Sequence, residues 1–434
     1  MEQQNFEMNE NEKEITAPSK NKKGGMLKGI AIGVIATLII GWTGINIACL
    51  ATNSQILITG KEGSASTGNS VLNSKVVSKI NELTAYMNLY YYDEMDDTAL
   101  QDGLYEGLLE GLGDKYSVYY NAEDYQASQV STTGQYYGIG AGLSQDKDTM
   151  VVTINKIYEG TPSDTAGLLK DDVIISVEDT DATSMEVSEL VKLIRGEKGT
   201  TVHLEVYRPS TNEYLSFDVE RQDITLPSVS HKMLESNIGY VHIDSFETKT
   251  ATQFEEAISD LQNQGMSALI IDVRYNPGGM VTSVVKILDD ILPEGTVVYT
   301  EDKNGNRQDY TSSGDTYLDY PMAVLINGDS ASAAEILAGA IKDYNYGTLI
   351  GTTTFGKGIV QTIFPLEDGD AVKLTTAKYF TPNGNYIHGV GIEPDIELEY
   401  EYLDKEATSY DEANDNQILK AIEVLKEKSG ETNE

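Results

Sequence analysis

Two short segments hold residue types that do chemistry in combination: Gly328-Asp-Ser-Ala-Ser332-Ala-Ala-Glu335 and Phe355-Gly-Lys357-Gly-Ile-Val-Gln361. They read as a serine nucleophile with a lysine base. A hydroxyl is a poor nucleophile until something takes its proton, and a lysine takes it only where the ammonium form is disfavoured. Burial and dipole effects must therefore bring the Lys357 pKa down from the ~10.4 of a free lysine.

Local elements have to position these groups. The run Met322-Ala-Val-Leu-Ile326 is short and apolar, Asn327-Gly328-Asp329 is turn chemistry, and Ala333 to Ile341 is rich in Ala, Leu, Ile and Glu. Strand, turn and helix are predicted in that order, with Ser332 at the helix N-terminus. Free N–H groups there face a developing oxyanion, and the positive end of the helix dipole disfavours a nearby ammonium. A strand over Gly358 to Phe364 would point Lys357, Ile359 and Gln361 the same way, so that Gln361 orients the amine. Each residue also has a plainer reading. Ser332 with Glu335 fits an S-x-x-E capping box, Ser330 a turn, Lys357 a solvated loop charge and Gln361 an ordinary strand position.

The series Asp272-Val-Arg-Tyr-Asn-Pro-Gly-Gly279, Asn327 to Glu335, Gly351 to Gln361, and Tyr379-Phe-Thr-Pro-Asn-Gly384 through Gly391-Ile-Glu-Pro-Asp395 resembles the carboxyl-terminal processing proteases. The resemblance runs in order from about Asn81 to Asp395. It implies a serine-type endopeptidase with Ser332 as nucleophile, Lys357 as general base and Gln361 holding the lysine. The family's lysine follows its serine by 25 positions and the glutamine lies four further on, as here, which selects Ser332 over Ser330. The family's oxyanion hole maps to the backbone N–H groups of Ala333 and Gly278. No metal or organic cofactor is implied.

Histidine competes as base, since a Ser-His-Asp set forms in space and not in sequence. Of the four, His203, His231, His242 and His388, the first and third sit in alternating apolar segments that read as strands, and His388 falls near the family site. A non-catalytic tail-binding scaffold and a crotonase-like hydratase are the rival function classes. The hydratase would want a carboxylate base.

Before the serine segments lie Tyr137-Gly-Ile-Gly-Ala-Gly-Leu143, Gly160-Thr-Pro-Ser-Asp-Thr-Ala-Gly-Leu168 and Asp171-Asp-Val-Ile-Ile-Ser-Val177, which look like a PDZ domain over residues 126–222. A glycine-rich loop exposes successive N–H groups that hold a terminal carboxylate, while the peptide adds as a strand to a sheet edge. By resemblance that loop is Tyr137, Gly138, Ile139 and Gly140. Val187, Leu190, Val191 and Ile194 form one apolar stripe on a helix from about Met185 that would wall the groove. Protein substrates with apolar C-termini are the expected partners. Asp171-Asp172 and Glu178-Asp179 replace the family's usual Gly-Asp and Asn-Gly, which puts turn geometry in question.

Ile30 to Leu50 is an uncharged stretch of 21 residues, long enough to cross ~30 Å of hydrocarbon at ~1.5 Å per residue. Lys20, Lys22, Lys23 and Lys28 precede it, so the positive-inside rule leaves the N-terminus in the cytoplasm and the catalytic part outside a bacterial cell membrane. Cleavage as a signal peptide near Ala48-Cys49-Leu50-Ala51 is the rival. Cys49 is the only cysteine, which excludes intrachain disulfides and cysteine metal sites. The net charge of −38, from 69 acidic and 31 basic residues, repels nucleic acid, and no such partner is expected.

The expected organisation is a cytoplasmic tail (1–25), an uncleaved anchor (26–51), a Gly/Ser/Thr/Asn stalk (52–70), a helical region (71–125), the PDZ domain (126–222), an α/β, crotonase-like peptidase core (223–400) and an acidic C-terminal segment (401–434). In the last, Asn416 to Lys428 has the apolar pattern of a docking helix. Gly113-Asp-Lys-Tyr-Ser117 looks like the family's Gly-Asp-Pro-Tyr-Ser element, with Lys115 in place of proline. Homodimerisation through N- and C-terminal helical segments is implied by resemblance.

Overall fold

A computed structural model describes residues 71–315, 317–407 and 409–428. The tail, anchor and stalk expected at 1–70 lie outside the described residues. Among the described residues no helix is long and apolar enough to cross a membrane. The chain divides into two compact units, one ending at Glu94 and one beginning at Met95. The described part of the first is helix α1 (Ser74–Tyr90), capped by the Asn73 side chain, which accepts from the N–H groups of Lys75 and Val76.

The second unit opens with α2 (Asp97–Glu110), β1 (Val118–Tyr120) and α3 (Ala122–Thr133). A short strand lies within the region 71–125 that the sequence reads as helical. Val118-Tyr-Tyr120 is a β-branched and aromatic run, and it pairs as a strand with the peptidase core. α3 crosses the expected 125/126 boundary, and the first strand of the next module follows it.

That module contains β2 (Gln135–Gly138), β3 (Ala141–Gln145), β4 (Val152–Ile157), α4 (Pro162–Ala166), β5 (Val173–Val177), β6 (Thr180–Asp181), α5 (Val187–Ile194), β7 (Thr201–Arg208), β8 (Glu213–Glu220) and β9 (Gln222–Thr225). Its sheet runs β3-β4-β5-β7-β8, so β3 is an edge strand. β2 and β9 pair antiparallel and bring the module's two ends together, as an inserted domain requires.

The core follows with β10 (Val229–Met233), β11 (Ile238–Ile243), α6 (Thr250–Asn263), β12 (Ala268–Asp272), α7 (Val281–Ile291), β13 (Gly295–Asp302), β14 (Arg307–Ser312) and β15 (Met322–Ile326). It ends with α8 (Ala333–Asp343), β16 (Thr348–Gly351), β17 (Ile359–Pro365), β18 (Ala371–Phe380), β19 (Ile396–Glu397) and α9 (Asn416–Lys428). One sheet runs β10-β11-β12-β15-β16-β19, parallel except at β10. β12 and β15 are buried at every residue, which their unbroken apolar runs demand of central strands covered on both faces. α6, α7 and α8 cover one face. α9 covers the other.

α9 occupies the residues its pattern predicts. Its buried Ile418, Ile422 and Leu425 meet Ile270, Leu325 and Ile350 of the sheet, and burial of each such side chain contributes about 1.5–3 kcal/mol. The apolar stripe is therefore spent inside the chain, as the docking-helix reading expects. A second sheet, β1-β18-β13-β14 with β17 added on β18, carries the lysine segment.

Behind the sheet, the fully buried Asp415 at the foot of α9 pairs with Arg274 at 2.9 Å and accepts from the Tyr410 hydroxyl at 2.8 Å. Arg274 also grips Asp272 at the end of β12. A cavity of ≈ 450 Å³ opens onto this network, and neither Ser332, Lys357 nor Gln361 lines it.

Candidate active site

β15 delivers the chain to Asn327, and the following turn places Ser330 and Ser332 very differently. Ser330 is fully buried; its hydroxyl donates to Val273 O at 2.7 Å and accepts from Asn327 N–H at 2.9 Å. It is spent on holding the turn. Ser332 is the N-cap of α8 at φ 55°, ψ −111°, a strained conformation for a residue with a Cβ. The capping box that S-x-x-E predicts is present: the Glu335 carboxylate accepts from Ser332 N–H at 2.8 Å, and the serine side chain faces the backbone of Glu335 in the first turn of α8 without making a close hydrogen bond, which leaves its hydroxyl available.

The turn after β12 packs directly on this serine. Gly278 lies at φ +102°, and a Cβ there would stand 2.7 Å from Ser332 Cβ and 2.9 Å from Ala333 N. Only glycine fits. Ala333 N–H belongs to the first turn of α8, which lacks intrahelical acceptors. Gly278 N–H donates to Asn276 Oδ1 at 2.8 Å, so it must leave or share that bond to reach an oxyanion. Asn276 ties the two turns together, since its carbonyl accepts from Ala331 N–H at 2.9 Å.

Glu335 is the residue that sequence reasoning undervalued. It is fully buried, and one carboxylate oxygen accepts from both Ser332 N–H and Lys357 N–H, each at 2.8 Å. The other accepts from Gly356 N–H at 2.7 Å and from the Thr354 hydroxyl at 2.6 Å. A single side chain thus fixes the serine backbone beside the lysine backbone. Its signal was present in S-x-x-E, but a local cap explained it without reference to a segment twenty residues away. Tyr379, also buried, donates to Ser332 O at 3.1 Å.

Lys357 is half-buried, with its Nζ 5.0 Å from the centre of the Tyr116 ring. Its pKa is lowered, first by lost hydration and then by the charge of Lys373; Glu335 opposes the shift and Lys115 adds to it. Nζ has no carboxylate partner among the described residues. Gln361 lies on β17 opposite Thr375 of β18. Gln361 Nε2 is buried without a partner, so the expected glutamine–lysine hydrogen bond is not made through that nitrogen in this conformation. Catalytic hydrogen bonds of unliganded enzymes commonly tighten only on substrate.

No histidine bonds to Ser332 among the described residues. His203 pairs with Asp218 and His231 with Asp260, at 2.8 and 2.9 Å, and His242 stands 3.5 Å from Asp244. His388 is exposed; its backbone flanks Gly358 and its ring centre lies 6.1 Å from that of Tyr386. Among the described residues no group of His, Cys, Asp or Glu is arranged to hold a metal ion.

In the PDZ-like module, Tyr137 is exposed, Gly138 ends β2, Ile139 is buried in the module's core and Gly140 lies at φ +80°. Ile139 therefore offers a ligand its backbone and not its side chain. The free edge of β3 faces α5, whose Leu190 and Ile194 point inward while Val187 and Val191 stay partly exposed. The two departures from the family's turns have a visible cost: Asp171 and Glu178 lie at φ 73° and 52°. Asp172 compensates through two 2.7 Å bonds from Arg208. Arg221 donates to Leu193 O and Ile194 O, which makes it a cap for α5. Arg195 stacks 4.6 Å over Tyr136 of β2.

Comparison with known proteins decides what this arrangement belongs to. The profile of Peptidase family S41 matches residues 237–398, and that of the PDZ domain residues 128–207. The carboxy-terminal processing protease CtpA of Bacillus subtilis is 35% identical over 373 residues, covering 83% of this chain and 78% of CtpA. The chain belongs to the carboxyl-terminal processing protease family. It is a serine-type peptidase of family S41 with a PDZ domain. CtpB of the same organism is 35% identical over 328 residues, covering 75% of this chain and 68% of CtpB. The solved photosystem II D1 C-terminal processing protease shares 28% identity at a TM-score of 0.45, over 75% of this chain and 88% of that one. Within a carboxyl-terminal processing protease, binding of substrate C-terminal tails by the PDZ domain is the typical arrangement.

Proposed function

We propose that this protein is a membrane-anchored endopeptidase that captures apolar C-terminal tails along β3 and α5 and cleaves upstream through an acyl-enzyme on Ser332. Lys357 takes the Ser332 proton as Oγ attacks the scissile carbonyl, passes it to the leaving amine, and then draws a proton from the water that releases the acyl group. Ala333 and Gly278 N–H groups face the oxyanion, and Gln361 holds the lysine amine. The observation that carries the reading is the Glu335 carboxylate, which joins the backbone of a serine with an available hydroxyl to that of a desolvated, unpaired lysine. A scaffold that only binds tails has no need of such a clamp. The charge-free stretch Ile30 to Leu50 behind four lysines supports the anchor.

The test is cleavage of an unfolded protein ending in an apolar tail by the full-length enzyme in detergent, against the same protein ending in a charged tail. The apolar tail is expected to raise kcat/KM about tenfold or more, with Ser332→Ala inert on both. In Gly138→Val the ratio between the two substrates is expected to collapse toward one, because an added side chain crowds the carboxylate loop. Equal cleavage of both substrates by the unaltered enzyme removes the tail-capture part of the reading. Binding of tails without hydrolysis moves the protein to the scaffold class. An alkaline wash of membranes tests the anchor: retention in the pellet is expected, and release of the intact chain refutes it.

A further inference from the structure

The surroundings of Lys357 hold two more unpaired ammonium groups. Lys115 Nζ lies 4.8 Å from the centre of the Tyr116 ring, the ring that Lys357 Nζ also approaches, and 5.7 Å from that of Phe355. Lys373 Nζ donates to the Tyr120 hydroxyl at 2.6 Å. Among the described residues none of the three makes a salt bridge, although the chain carries 69 acidic residues against 31 basic ones. Acidic side chains are plentiful, yet among the described residues none forms an ion pair with these cations, and Glu335 acts on Lys357 without touching its ammonium.

The nearby anions are already committed. Asp114 accepts from Tyr116 N–H at 3.0 Å and from the Ser117 hydroxyl at 2.6 Å, and Glu335 accepts its four donors beneath the site. The unspent polar group is of the opposite kind. Gln361 Nε2 is a donor without a partner, while the Thr375 hydroxyl, two residues from Lys373 on the same face of β18, is turned toward Asp114 and helps hold that carboxyl below its usual range. A surface that offers ammonium groups and a free donor without a free carboxylate is complementary to a carboxylate. Lys357 cannot be the counterion, because it must be neutral to act as base.

We infer that Lys115 and Lys373 form a subsite that selects an acidic side chain of the substrate beside the scissile bond. The inference rests on the Ser332/Lys357 reading. Lys115 stands where the family's Gly-Asp-Pro-Tyr-Ser element carries proline, so the selection belongs to this chain and not to the motif. Such a carboxylate is recognised by residues outside β3 and α5, which gives the substrate two determinants: an apolar end and an acid near the cut.

The experiment uses the full-length enzyme and tail-bearing peptides in which each residue flanking the cleaved bond is exchanged, one at a time, between Asn and Asp or Gln and Glu. At one position the acid is expected to raise kcat/KM about fivefold or more over its amide, as charge-assisted hydrogen bonds do, and the gain should shrink as salt rises. In Lys115→Gln and in Lys373→Gln the acid-to-amide ratio is expected to fall toward one. Lys115→Glu should reverse it, so that lysine at that position outperforms the acid; this guards against a variant that merely folds poorly. A ratio of one at every position in the unaltered enzyme, or a ratio that survives both glutamine variants, overturns the subsite. Hydrolysis of the amide peptides that disappears in Ser332→Ala leaves the protease reading standing even then. Failure of the unaltered enzyme to cut any peptide overturns both.

Discussion

Ser332→Ala and Lys357→Met are each expected to lower kcat/KM by about 10⁴-fold or more, while their effects on stability differ. The Ser332 hydroxyl makes no close hydrogen bond, so its removal should change Tm little. Ser332→Gly should add stability of about 1 kcal/mol, since glycine relieves the φ of 55°. Lys357 is different because its ammonium form is disfavoured in the fold. The folded state then binds this proton less readily than the unfolded state. The resulting penalty is fully present below the lowered pKa and is relieved as pH rises toward the unfolded value of ~10.4. Lys357→Met removes the penalty and keeps the stem's apolar packing, so Tm at neutral pH should rise as activity vanishes. The same shift predicts that kcat/KM climbs with pH and levels off below the range of an ordinary lysine. Retained activity in Lys357→Met together with a dead His388→Ala would transfer the base to histidine.

What could be read in advance follows from how local each feature is. β15 and α9 begin and end where their runs do, because an unbroken apolar stretch or an i, i+3, i+4 stripe is itself the cause of burial. β1 escaped because three residues are too few to show a period; what makes Val118–Tyr120 a strand is its partner β18, some 250 residues away. Ser332 could be chosen over Ser330 from spacing, and the buried, doubly bonded Ser330 hydroxyl supplies the physical reason. Asp171 could not be placed from its type, since the left-handed position favours glycine and the chain tolerates the strain beside the Asp172–Arg208 pair. The gathering of Lys115, Lys357 and Lys373 around two tyrosines needed three separate segments to be brought together, and no spacing rule encodes that.

Glu335 is the site residue whose loss should reach furthest without touching substrate. In Glu335→Gln one carboxylate oxygen becomes an NH₂ group and meets donors in place of an acceptor. If it replaces Oε2, Ser332 N–H and Lys357 N–H are both stranded; if it replaces Oε1, Gly356 N–H and the Thr354 hydroxyl are. Each buried donor left unpaired costs about 1–3 kcal/mol, so a stability loss of about 2–6 kcal/mol is expected from chemical denaturation. Catalysis should fall as well, by about 10²-fold or more in kcat, because a misplacement of about 1 Å between nucleophile and base is enough for that. The separation of kcat from KM distinguishes positioning from general damage: the proposed tail groove of β3 and α5 lies far along the chain from this carboxylate, so KM should change little where the protein remains folded. A variant that loses stability but keeps kcat at a temperature well below its Tm would reduce Glu335 to a structural tie. A kcat that falls while tail binding persists would show that the clamp between the serine turn and the lysine loop is what turns two ordinary residues into a catalytic pair.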